Sequence, residues 1–117
     1  MSGDRDTVYT IKQLETLRQR EEYVEEFLNS SIESYEKIMV IYVQTNNSNQ
    51  AELMKLRIKI IKEYPIRGYT DMRNKYIDEI RNQYKTDKEK KSAAEEAIQD
   101  IRDISRDSAQ EFPLEDN

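Results

Sequence analysis

Apolar residues fall in steps of three and four at Leu14, Leu17, Val24, Leu28, Tyr35, Ile38 and Tyr42, with Glu21 and Ser31 as polar interruptions. That spacing lays a heptad seam along one face of a helix and predicts a first helix over residues 7–45. Ser30-Ser31-Ile32-Glu33 offers a capping box midway. The seam stays in phase across it, which favours one continuous helix. Thr45-Asn46-Asn47-Ser48-Asn49 is the clearest loop. Asn49 with Glu52 three residues on reads as an N-cap and its reciprocal partner, opening a second helix over residues 50–64. Leu53, Leu56, Ile60 and Tyr64 form one stripe of it and Met54, Ile58 and Ile61 an adjoining one, so its buried face is wide. Leu56 to Ile60 also alternates with period two, and Ile38 to Val43 has strong β propensity. A hairpin across the Asn-rich loop is therefore the rival reading. The lack of any further strand partner counts against it.

Pro65 to Tyr69 interrupts the helical pattern, because Pro disfavours α geometry in the residue before it. Thr70 reads as an N-cap for a third helix over residues 70–109, carried by Met72, Tyr76 or Ile77, Ile80 and Tyr84. Lys85 to Lys91 is all polar and reads as either helix or hinge. Ser92-Ala93-Ala94-Glu95 is another capping box, with Ala94, Ala97, Ile98 and Ile101 as a narrow stripe after it. Residues 110–117 read as a flexible tail. The expected architecture is all-α: an elongated, coiled-coil-like antiparallel three-helix bundle running up-down-up as a single domain over residues 1–117, kinked near Pro65.

Composition sharpens this picture. Two glycines and two prolines in 117 residues are too few for a sheet protein, which needs turn residues about every 8–12 positions. A net charge of −5 argues against a nucleic-acid partner, whose binding rests on phosphate neutralisation. The longest unbroken apolar run, Ile38 to Val43, falls far short of the ~20 residues of a membrane span, and the polar N-terminus lacks a signal-peptide core. A cytoplasmic chain without a membrane partner is expected. With no His and no Cys, a general base would have to be a carboxylate, Lys or Tyr in a dry pocket, which a slim bundle rarely provides. No cofactor, nucleotide or metal is expected, and the chain reads as a non-enzyme that binds another protein.

Six consecutive apolar residues cannot all face one core, so Val40 and Val43 fall outward from the seam, as does Tyr23. Exposed apolar groups of this kind mark a partner or oligomer surface; the plainer alternative is a second packing face that buries them. The candidate contact residues are Tyr23, Val40 and Val43, with Arg18, Glu22 and Glu26 near them on the first helix.

Leu14-Glu15-Thr16-Leu17-Arg18-Gln19-Arg20-Glu21-Glu22-Tyr23, then Glu63-Tyr64-Pro65, then Ala94-Glu95-Glu96-Ala97-Ile98, and finally the tail Glu111-Phe112-Pro113-Leu114-Glu115-Asp116, stand in an order and spacing that resembles the tubulin-binding cofactor A family, from about Thr10 to the end. Asn49-Gln50-Ala51-Glu52 stands where many members have Asp-Pro-Tyr-Asp, and Gly68 is an added kink. The resemblance implies a three-helix bundle that captures quasi-native β-tubulin released from the cytosolic chaperonin and passes it to downstream tubulin-folding cofactors. It implies a cytoplasmic, cytoskeleton-associated monomer or homodimer. The rivals are a coiled-coil subunit that self-associates or binds another protein, and a small acidic inhibitor.

Overall fold

The structure, a computed structural model, describes residues 8–115. Four helices account for nearly all of them: α1 (Ile11–Gln44), α2 (Ser48–Lys62), α3 (Thr70–Gln83) and α4 (Lys88–Glu111). The shape is long and flat, 56 × 28 × 17 Å. The all-helical expectation holds, and no strand occurs among the described residues.

Each helix begins and ends for a local reason. Thr10 opens α1 with a reciprocal capping box: its hydroxyl accepts from Gln13 N–H at 3.1 Å and its own N–H donates to Gln13 Oε1 at 2.9 Å. The expected start at Thr7 lies outside the described residues. α1 runs unbroken through Ser30 and Ser31 and ends where Asn46 takes φ 59°, a left-handed conformation that Asn tolerates. α2 starts at Ser48, so Asn49 is inside the helix rather than capping it; its side chain donates instead to Glu89 at 2.8 Å. α3 starts on Tyr69 as N-cap, which places Thr70 within the first turn. Between α2 and α3 the chain turns tightly, with Gly68 N–H donating to Pro65 O at 3.1 Å. A side chain on Gly68 would press to 3.2 Å from that oxygen, so a residue without a Cβ closes the turn.

Side-chain pairs fix the topology. Asn49 meets Glu89, and Arg57 meets Glu96 and Asp100, so α2 and α4 run parallel. α1 runs against both, with Tyr35 on Asp100 and Arg20 on Phe112. α3 turns back from the foot of α2, where Tyr76 reaches Ile60, to the upper part of α4, where Arg81 pairs with Glu95. The arrangement is thus four helices, down and up alternately, and not the expected three. The segment over residues 70–109 divides at Tyr84 to Asp87, where Tyr84 closes α3 and the Asp87 carboxylate accepts from Lys90 N–H to cap α4. Ser92, expected to cap a helix, lies inside α4, and Glu95 is taken up by Arg81.

The reversal has a packing cause. Ala93, Ala94 and Ala97 are all buried, and small side chains let α4 come close to α1 and α2. Ile98 and Ile101 then fill the core with Val24, Leu28 and Ile32 of α1 and Ile58, Ile60 and Ile61 of α2. Burying a large aliphatic side chain fully contributes about 1.5–3 kcal/mol. α3 supplies only Ile77 and Ile80 and lies at the edge. The tyrosine Tyr76 fastens it: its hydroxyl donates at 2.7 Å to Ile60 O, a carbonyl in the last turn of α2 that has no helical partner.

The chain after α4 lies along α1 and is not a loose tail over residues 110–115. Arg20 Nε donates to Phe112 O at 2.7 Å, Gln13 Nε2 donates to Glu115 O at 2.8 Å, and Lys12 pairs with Glu115 at 2.9 Å.

Candidate protein-binding surface

Helical periodicity puts Arg18, Glu22, Glu26, Val40 and Val43 on one side of α1, spread over about 38 Å at 1.5 Å per residue. All five are exposed. Tyr23 lies on another side and is not free: its ring stacks 4.3 Å from Phe27 and meets the edge of Phe112 at 6.2 Å. Partial burial there, with the carboxylates of Asp107, Glu111 and Glu26, raises its phenol above the ordinary range. The expectation that Tyr23 points outward is corrected, because the C-terminal segment covers it.

The upper end of α1 has no such cover. Val40 is 50% exposed, Ile41 56% and Val43 62%, with Ile38 at 36%. In a chain that is 37% charged, Ile38 to Ala51 contains no charged residue at all. The last turns of α1 are therefore apolar and exposed, and the polar turn above them is uncharged, so a contact here has no charge to desolvate. The charge gap was readable from the sequence and marks the tip more sharply than the β propensity of Ile38 to Val43. Ile41, the largest addition to the candidate set, was hidden because a continuous apolar run does not reveal which member faces out.

Beside the tip, α2 and α4 leave an open groove of about 280 Å³ lined by Gln50, Leu53, Met54, Arg57, Glu89, Ser92, Ala93 and Glu96. Its lower wall is a network joining three helices. Arg57 holds Asp100 with two nitrogens, Nε to Oδ2 at 3.0 Å and Nη2 to Oδ1 at 3.1 Å, and reaches Glu96 at 2.8 Å. Its Nη2 also donates to the Tyr35 hydroxyl at 2.7 Å, and that hydroxyl donates to Asp100 Oδ2 at 2.8 Å. The guanidinium carbon stands 4.3 Å from the Tyr35 ring centre. Burial first, then the hydrogen bond to Asp100, pushes the Tyr35 phenol up to about 12. The network ties α1, α2 and α4 together below the exposed end of α1. No local pattern announces it, since its three main members lie on separate helices.

Among the described residues no group of three or more His, Cys, Asp or Glu is placed to hold a metal ion, and no helix is long and apolar enough to cross a membrane. Comparison with protein-family models, with curated proteins and with solved structures finds no match to this chain.

Proposed function

We propose that the protein is a non-catalytic helical module that holds another protein against the tip of its α1–α2 hairpin. The observation that carries this reading is the exposed set Val40, Ile41 and Val43 within a charge-free stretch of an otherwise highly charged chain. An apolar patch with a charged surround is the anatomy of a docking surface. Lys37, Glu36 and Glu52 supply the surround. The Tyr35–Arg57–Asp100 network supports the patch by holding its base rigid.

The client we propose is β-tubulin in a quasi-native state, stored and handed on toward heterodimer assembly in the cytoplasm. Support for that identity comes from the sequence motifs that resemble tubulin-binding cofactor A; the four-helix topology departs from the three-helix bundle of that family. A native gel shift or size-exclusion run with free β-tubulin, with α-tubulin and heterodimer as controls, tests it. A complex with β-tubulin alone is expected, lost in Val40→Glu combined with Val43→Glu while helix content stays unchanged. No complex with the folded wild-type chain rejects the client; an intact complex with the double variant rejects the surface.

A further inference from the structure

A second exposed stripe runs down α1 on the side toward α4, away from Val40 and Val43. It comprises Phe27, Ser31, Ser34, Ile38 and Ile41, in steps of four, three, four and three, the spacing of a coiled-coil seam. Phe27 is 43% exposed and Ile38 and Ile41 are exposed as given above. Ser34 is exposed and Ser31 half-buried, its hydroxyl folded onto Phe27 O at 3.1 Å. α1 already spends its main seam on the core through Val24, Leu28 and Ile32. The second stripe stays partly exposed along its length among the described residues, and at its foot Phe27 touches Tyr23.

Its first four positions, Phe27, Ser31, Ser34 and Ile38, read the same in both directions: large, small, small, large. We infer that the chain forms a two-fold dimer in which α1 packs antiparallel on α1 of a second copy, crossing between Ser31 and Ser34. That register sets Phe27 against the partner's Ile38 and Ser31 against the partner's Ser34, so bulk meets bulk at the ends and the serines let the helices approach closely at the crossing. Such a contact is isologous, as a closed dimer requires.

Charge selects the antiparallel direction. Lys37 and Glu26 flank the stripe on its free side, and the antiparallel register brings Lys37 within half a turn of the partner's Glu26. A parallel pair would instead turn the free flank of each copy toward the α4 side of the other, leaving Lys37 and the partner's Glu26 on opposite sides of the contact, so only the antiparallel register gains from their opposite charges.

The test is sedimentation equilibrium or light scattering of the full chain over a wide concentration range, with far-ultraviolet circular dichroism on every variant. The wild type is expected at twice its 14.0 kDa chain mass. Ile38→Glu with Ile41→Glu is expected at the single-chain mass with unchanged helicity. Lys37→Glu should weaken the dimer and Glu26→Lys in the same chain should restore it. Because the chain has no Cys, direction is read directly: Phe27→Cys mixed with Ile38→Cys should form a disulfide-linked dimer, and Phe27→Cys alone should not, since the two copies of residue 27 stand about 16 Å apart along the crossing. A wild type at single-chain mass at all concentrations, or a linked dimer from Phe27→Cys alone, overturns the inference. Val40→Glu with Val43→Glu should leave the dimer intact, which separates this contact from the client surface.

Discussion

The two ends of α1 carry similar apolar excess and meet opposite fates. At the lower end Tyr23 and Phe27 lie outside the core seam, and the chain folds its own C-terminal segment back so that Phe112 covers Tyr23. At the upper end Ile38, Val40, Ile41 and Val43 are as apolar, yet among the described residues they stay 36–62% exposed. The lower end is ringed by charge and anchored by Arg20, Lys12 and Gln13 to the tail; the upper end is neutral and open. An apolar group that the fold covers contributes to stability, whereas one left open at a tip, with a rigid network beneath it, is available for contact. The difference separates residues that hold the protein together from residues that face outward.

Variants that break this contrast should rank by burial. Leu28, fully buried between the two ends, anchors both, and Leu28→Ala should cost about 2–5 kcal/mol in chemical denaturation. Arg57→Ala leaves the half-buried Asp100 carboxylate with Tyr35 as its remaining side-chain partner, and a loss of about 2 kcal/mol is expected from the same measurement. Phe112→Ala strips the cover from the lower end; a loss of about 1 kcal/mol with a gain in apolar-dye binding would make the two ends alike. At the open end Val40→Lys should change stability by less than about 0.5 kcal/mol, because an exposed side chain loses no packing. A destabilisation by Val40→Lys equal to that of Phe112→Ala would remove the distinction drawn here.

Alkaline pH sharpens the same comparison through Tyr35. Its folded-state pKa is raised to about 12 from 10.0, chiefly by burial and then by the hydrogen bond to Asp100. The folded chain therefore keeps a proton that the unfolded chain loses, so this contribution is complete below about pH 10 and falls away as pH rises toward 12. Thermal melts across that window should show a declining melting temperature, and Tyr35→Phe should decline less steeply.

Helical class, the continuous first helix, the Asn-rich loop and the wide face of α2 were all legible in the sequence, because each depends on spacing within one segment. Ile58, Ile60 and Ile61 of those stripes are buried and the rest half-buried, since α2 packs on both α1 and α4, and their breadth already implied more than one neighbour. The seam Leu14 to Tyr42 was legible as a direction but not in extent: Val24 and Leu28 are buried while Leu14 is 52% exposed, because the core shared with α2 and α4 takes only the middle of α1. The division at Tyr84 to Asp87 was visible only as an ambiguous polar run. Four capping patterns, at Ser30, Asn49, Thr70 and Ser92, matched sequence rules that the structure does not use, since a short polar motif caps only where the backbone actually turns.

Local order thus came from the sequence by itself: which residues form helices, where the loops fall and how little charge the hairpin tip carries. Tertiary structure alone decided that α4 reverses to lie parallel with α2, that Arg57, Tyr35 and Asp100 converge, that Tyr23 is covered and that Ile41 is not. Helix formation depends on residues three and four apart, which the sequence displays directly. Convergence depends on which faces meet across distances in sequence of 22 to 92 residues, and no local periodicity encodes that choice.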